Sequence, residues 1–147
     1  MIRENDSKIL VDAMIKDFGD EWDTRVNIDK VILKGVNINV QDKMGNNCLI
    51  IAAYLANHGP LADNSASKVV RYLLKLGGNP NLKNIDGFTS VHTAAMVNGL
   101  FVVEELIAGG AMLNVKSLKG KTPLDLAYDA GDVTMQSILL NAGAKRG

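Results

Sequence analysis

Two sets of glycines recur along the chain with the same spacing, and this repeat constrains the fold more than any other feature. The first set comprises Gly35, Gly77, Gly110 and Gly143. The second set comprises Gly45, Gly87 and Gly120. Successive members are 42, 33 and 33 residues apart in the first set, and 42 and 33 apart in the second. A recurring period of this length indicates a stack of similar units, each packed against the next.

The residues between the glycines predict a pair of helices in each repeat. Thr89 and Thr122 precede apolar periodic runs, where a hydroxyl can accept a hydrogen bond from a free helical N–H, and Pro123 suits the first helical turn. Small residues in this first helix let its neighbour approach closely, as at Ala52-Ala53 and Ala94-Ala95. A second apolar stripe then recurs at helical spacing, at Val69, Val70, Leu73 and Leu74 and again at Val102, Val103, Leu106 and Ile107. The glycines that follow can adopt positive φ and end the second helix.

The ends of the repeats resemble those of the ankyrin family. Leu73-Leu-Lys-Leu-Gly-Gly-Asn-Pro-Asn81 resembles the family's Leu-Leu-x-x-Gly-Ala-Asp-Val-Asn. Lys121-Thr-Pro-Leu-Asp-Leu-Ala127 and Phe88-Thr-Ser-Val-His-Thr-Ala-Ala95 resemble Thr-Pro-Leu-His-x-Ala-Ala, whereas Asn46-Asn-Cys-Leu-Ile-Ile-Ala-Ala53 keeps only the Leu and the Ala-Ala. The resemblance implies an all-α solenoid of stacked helix-turn-helix pairs with short hairpin-like turns. It implies one domain of four repeats over residues 6–41, 42–83, 84–116 and 117–147, with the first and last repeats as atypical caps.

Two segments depart from the regular period. The 42-residue spacing places a nine-residue insertion in repeat two at about 57–67, where turn-forming residues predict a loop, either tolerated by the scaffold or in contact with a partner. Residues 6–18 predict an amphipathic helix with an apolar stripe flanked by charges. The stripe comprises Ile9, Leu10, Ala13, Met14 and Phe18, and the flanking charges are Lys8, Asp12, Lys16 and Asp17. The acidic segment around Trp22 that follows is interpreted as part of the cap, with a binding role for Trp22 as the alternative.

Few residues are suited to catalysis or to metal binding. Cys48 is the only cysteine, and the histidines are His58, which we interpret as a surface residue, and His92, which resembles the family histidine that hydrogen-bonds between repeats. No paired His or Cys spacing typical of a metal site occurs. Cys48 is predicted to be a buried, unreactive thiol. We therefore predict a protein that is not an enzyme and that needs no cofactor.

The charge balance and the hydropathy argue against nucleic acids and membranes as partners. Lys plus Arg equals Asp plus Glu at 16 each, which removes the electrostatic attraction that drives non-specific nucleic-acid binding. The longest apolar run, Leu49 to Ala56, is too short to cross a bilayer, and the first residues do not resemble a signal peptide. We expect a cytoplasmic protein, although non-classical secretion into a host or partner cell is also compatible with this sequence.

The resemblance implies that a partner protein binds the concave face, formed by the turns and the first helices. The candidate residues in the turns are Lys43, Met44, Asn46, Ile85, Asp86, Phe88, Leu118, Lys119 and Lys121. The candidates on the first helices are Tyr54, Met96, Val97, Asp129 and Ala130. His58 and Trp22 are added from the irregular segments. An apolar stripe is proposed as the hot spot, comprising Phe88, Tyr54, Met44, Met96, Ile85 and Leu118. For Ile85 and Leu118, an alternative is that they cover neighbouring repeats.

Three functional hypotheses follow. The first is a non-catalytic interaction module, a small adaptor or inhibitor that is monomeric alone. The second is a dedicated inhibitor or antitoxin of the immunity type that blocks one enzyme. The third is a structural protein that self-associates through an apolar face at Ile138, Leu139 and Leu140.

Overall fold

The chain forms stacked helices. A computed structural model describes residues 5–18, 26–57 and 63–147, and within them the chain has eight helices and no strand, which confirms the all-α prediction. The helices are α1 (Asp6–Phe18), α2 (Val26–Leu33), α3 (Cys48–Leu55), α4 (Asp63–Lys75), α5 (Ser90–Met96), α6 (Leu100–Ala108), α7 (Pro123–Asp129) and α8 (Val133–Asn141).

Consecutive helices pack in pairs, and the pairs stack. Within the pairs, α1 packs on α2, α3 on α4, α5 on α6 and α7 on α8. Between pairs, the first helices α3, α5 and α7 pack in one row, and the second helices α4, α6 and α8 pack in another. The core runs along the stack between these rows. Ala52, Ala53 and Ala94 are completely buried there, so that their small side chains let adjacent first helices approach closely.

The turns before the first helices are joined to one another by backbone hydrogen bonds. Ile85 N donates to the Met44 oxygen over 3.0 Å, and Leu118 N donates to the Asp86 oxygen over 3.0 Å. Gly87 has a φ of 77°, and a Cβ atom on it would lie 2.8 Å from Leu118 N. Glycine is required at this position because the backbone conformation disfavours side chains and because the next turn passes so closely.

The N-terminal helix α1 is confirmed, but two of its side chains lie differently from the prediction. Ile9 was placed in the apolar stripe and is 43% exposed. Asp17 was placed among the solvent-facing charges and is fully buried, because its carboxylate accepts hydrogen bonds from Asn27 N over 3.0 Å and from Ile28 N over 2.8 Å. Asp17 thus satisfies backbone donors in the first turn of α2.

The loop prediction for residues 57–67 is wrong over 63–67, which belong to α4; residues 58–62 lie outside the described residues. Helix α4 has 13 residues, whereas α6 and α8 have nine each. Ala66 is completely buried and extends the stripe of Val69, Val70 and Leu73 backwards by one turn. Polar residues such as Asn64 and Ser65 are compatible with a first helical turn, where turn-forming and helix-starting sequences look alike. Part of the insertion therefore lengthens a helix.

Candidate functional site

A groove of about 280 Å³ opens between repeats two and three, on the face made by the turns and the first helices. Its lining comprises Asn46, Ile50, Ile51, Tyr54, Asn84, Phe88, Thr93 and Met96. Helices α3 and α5 supply five of these residues, and the turns before them supply Asn46, Asn84 and Phe88. We call this site the apolar groove.

The walls of the apolar groove carry the side chains that a partner could cover. Tyr54 is 51% exposed, and Met96 is also exposed, while Ile50 and Thr93 are buried beneath them. Phe88 is half-buried, and its ring contacts the imidazole of His92 with 5.4 Å between centroids and an angle of 52° between planes. The position of Phe88 is therefore fixed before any partner binds, which reduces the entropy lost on binding.

Two carboxamides form the polar end of the apolar groove. Asn84 Oδ1 accepts hydrogen bonds from Asp86 N and Phe88 N, each over 3.0 Å, and Asn84 Nδ2 donates to Asn46 Oδ1 over 3.1 Å. The side-chain nitrogen of Asn46, Nδ2, has no acceptor among the described residues. This group is available to donate a hydrogen bond to a backbone or side-chain oxygen of a partner.

The structure brings together only part of the predicted hot spot. Tyr54, Phe88 and Met96 line the apolar groove, whereas Met44, Ile85 and Leu118 lie outside its lining in the turns. The exposure of both side chains, 54% for Ile85 and 78% for Leu118, argues against the alternative that they cover neighbouring repeats. The tips of the turns direct these side chains into solvent.

The charged candidates lie around the groove rather than in it. Lys43, Asp86 and Lys119 are exposed in the turns. Lys121 pairs with Asp129 across 3.0 Å, one repeat away from the groove. Because this pair is exposed on both sides, it contributes little to stability and is open to exchange with a charged partner.

Val97 was expected on the exposed concave face, and the structure contradicts this because its side chain is buried. Val97 is only 8% exposed because it follows the end of α5 and turns into the stack. Its backbone N–H donates to the Thr93 oxygen over 3.1 Å, and its oxygen accepts a hydrogen bond from Asn57 Nδ2. Trp22 and His58 lie outside the described residues.

Four groove residues were missed by the sequence reasoning, namely Ile50, Ile51, Asn84 and Thr93. The sequence contained a signal for one of them, Ile50. Ile50 is 42 residues before His92 and so occupies the position at which the family carries its histidine. An apolar residue in place of an interrepeat hydrogen-bonding residue marks repeat two as the unusual wall of the groove.

Two buried ionisable groups, His92 and Cys48, have pKa values shifted by their surroundings. Burial lowers the pKa of His92, partly opposed by hydrogen bonds to Lys121 and Val115, and nearby Lys83 lowers it further. Burial raises the pKa of the Cys48 thiol to about 12. Among the described residues no group of three His, Cys, Asp or Glu side chains is placed to hold a metal ion. Within the same residues, none of the helices has the length and apolar character needed to span a membrane.

Comparison with known proteins identifies the family. Residues 61–146 match a family model described as ankyrin repeats in three copies. The chain belongs to the ankyrin repeat family. It is 32% identical over 111 residues to a putative ankyrin repeat protein of Rickettsia felis, which covers 71% of this chain and 46% of that protein. The ankyrin resemblance, drawn from the turns and the Thr-Pro-Leu segments, is therefore confirmed.

Other relatives are longer proteins that match this chain over only part of their own length. The mouse protein named inactive serine/threonine-protein kinase TEX14 is 30% identical over 72% of this chain but over only 7% of its own length. Protein PhlB of Serratia liquefaciens is 41% identical over 76 residues, which are 51% of this chain and 34% of that protein. This chain thus spans less than half the length of each of these relatives. Ankyrin repeats are protein–protein interaction modules, and the family is generally non-catalytic.

Proposed function

We propose that this ankyrin repeat protein is a small adaptor or inhibitor that holds a partner protein through the apolar groove. The observation that carries the proposal is the exposure of Tyr54 and Met96 beside the fixed ring of Phe88. Exposed aromatic and methionine side chains around a preformed concavity have the composition of an interface centre. The partner would place an apolar side chain between them.

The neighbouring groups suit the rim of such an interface. The free side-chain Nδ2 group of Asn46 supplies directional recognition at one end of the groove. Lys43, Asp86 and Lys119 lie exposed in the surrounding turns. Rim charges of this kind mainly set the rate of association and the choice of partner.

The choice between an adaptor and a dedicated inhibitor depends on the partner, since both would use the same groove. A purified partner enzyme that loses its activity when bound supports the inhibitor form. The self-association hypothesis receives less support, because Leu139 is completely buried in the core and only Leu140 of its three residues is exposed. We also propose, from the sequence, that the protein acts in the cytoplasm.

Photo-crosslinking at two matched aromatic positions tests the location of the site. A benzophenone amino acid is placed at Tyr54, which is 51% exposed in the apolar groove, or at Phe101, which is 54% exposed on α6 outside it. Each labelled protein is mixed with native cell lysate, the protein and whatever binds it are captured, and the captured material is irradiated. We expect a specific adduct from position 54 and none from position 101. An adduct only from position 101, or none from either while a partner co-purifies, would place the interface elsewhere.

A further inference from the structure

A second groove lies apart from the apolar groove and has a different character. It encloses about 610 Å³ and is lined by Asn81, Lys83, Met112, Leu113, Asn114, Val115 and Lys116. None of these residues lines the apolar groove. We call it the lysine groove.

The charge of the lysine groove is of one sign. Lys83 and Lys116 are 33 residues apart, so that they occupy equivalent positions in consecutive repeats. Both are exposed, and neither forms an ion pair with any described residue. No acidic residue lines the groove. Two adjacent unpaired cations with no neighbouring carboxylate in the lining favour an anionic ligand.

The backbone of the groove offers a second kind of recognition. Residues 114–116 have no regular secondary structure, and the N–H groups of Val115 and Lys116 have no acceptor among the described residues. The segment is held in place at its start, because Met112 N donates to Asn81 Oδ1 over 2.8 Å. A backbone N–H without an acceptor, in a segment that is held in place, can donate a hydrogen bond to a carbonyl oxygen of an extended polypeptide.

The apolar part of the lining completes the site. The exposed side chain of Met112 and the half-buried side chains of Leu113 and Val115 line the same groove as the two lysines. Methionine adapts its shape to varied apolar groups. A ligand that alternates acidic and apolar side chains would use all three features of the groove.

We propose that the lysine groove docks an acidic, extended segment of a partner protein. A polypeptide supplies carboxylates for Lys83 and Lys116, a carbonyl oxygen for one of the two N–H groups and an apolar side chain for Met112. A nucleic acid fits less well, because the lining holds no arginine and no aromatic ring for base stacking and because the chain carries no net charge. A segment bound here leaves the apolar groove open for a second contact.

A selected peptide tests this proposal. Random dodecapeptides are displayed and selected on the native protein, and the recovered peptides are then compared on the charge-reversed variant Lys83→Glu/Lys116→Glu. We expect the recovered peptides to be rich in Asp and Glu with interspersed apolar residues. Their affinity, measured by fluorescence anisotropy, should fall at least about tenfold in the charge-reversed variant. Hydrogen exchange should show new protection at the amide of Val115 or of Lys116 when such a peptide binds.

The control variant reverses two other exposed lysines, Lys30→Glu/Lys34→Glu, which carry the same change of net charge on and after α2. We expect it to bind the selected peptides within about twofold of the native protein, and circular dichroism checks that both variants remain folded. Three results would overturn the proposal: peptides without an acidic excess, equal loss of affinity in both variants, or no new protection at residues 115 and 116. Binding of a single-stranded oligonucleotide in preference to the peptides, lost in the same variant, would assign the groove to nucleic acid instead.

Discussion

The Nε2 atom of His92 lies 2.9 Å from the backbone oxygen of Lys121, and this contact joins repeat three to the turn of repeat four. The other ring nitrogen, Nδ1, accepts a hydrogen bond from Thr89 N over 3.1 Å. The proton of the neutral imidazole therefore resides on Nε2 and is donated to Lys121. The same ring supports Phe88, so that one buried histidine links the stack to a wall of the apolar groove.

Acid should weaken the fold through His92. Burial, the largest effect, lowers its pKa below 6.5, so the unfolded chain takes up a proton at a higher pH than the folded chain does. The stability is fully present above about pH 6.5 and declines as the pH falls below that value. We expect the urea midpoint to drop between pH 7.5 and pH 5, and to drop less in His92→Gln. Equal drops in both proteins would show that His92 does not cause the effect.

Equivalent glycines in two turns should respond differently to alanine. Gly87 and Gly120 have φ values of 77° and 76°, but only a Cβ atom on Gly87 meets the backbone of the next turn, whereas none lies within 4 Å at Gly120. Gly120→Ala should cost about 1–2 kcal/mol for its backbone conformation alone. Gly87→Ala should cost clearly more, because the turn that follows must move. Denaturant unfolding measures both, and equal losses would contradict the close packing of the turns.

Two aspartates of α1 provide a test of the N-terminal pair of helices. Asp17 is buried against the start of α2, whereas Asp12 is exposed and pairs with Lys8 across 2.8 Å. Asp17→Ala should lower the free energy of unfolding by about 1–3 kcal/mol, because it leaves buried donors without an acceptor. Asp12→Ala should change it by less than about 1 kcal/mol. The reverse order, measured by urea denaturation, would exclude this role for Asp17.

The thiol of Cys48 should report on opening of the stack. It is buried, its Sγ lies 3.3 Å from the Ile38 oxygen, and burial raises its pKa to about 12. The thiolate that reacts with a disulfide reagent is therefore almost absent from the folded protein at pH 8. We expect no reaction with Ellman's reagent over minutes in buffer and complete reaction in urea. A native thiol that reacts as fast as the unfolded one would contradict the burial.

The repetitive parts of the fold could be predicted because residues of the same type recur at equivalent positions in successive repeats. Gly87 has a positive φ beside the next turn, and Ala94 leaves space for a neighbouring helix. A glycine and an alanine occur at the equivalent positions of other repeats. The irregular parts carry no such repetition. The Asp63 to Ser67 segment contains residues that start turns and helices alike, and it is helical in a structure where Ala66 is completely buried against the stack.

The candidate site was only partly predictable for a related reason. A position that varies within a repeat can face solvent, as Tyr54 does, or turn into the stack, as Val97 does. The difference between them comes from the end of α5 and from the hydrogen bond of Asn57 to the Val97 oxygen, which joins residues 40 apart. Such tertiary contacts have no signature in the local sequence.

The affinity for the purified partner tests the apolar groove most directly. Tyr54→Ala/Met96→Ala removes two exposed groove side chains, and Phe101→Ala/Leu140→Ala removes two exposed apolar side chains outside it. With circular dichroism unchanged, we predict that the dissociation constant rises at least about tenfold in the first variant, as expected for a hot spot, and by less than about twofold in the second. Unchanged affinity in the groove variant, or an equal loss in both, would contradict the assignment of the apolar groove as the partner-binding site.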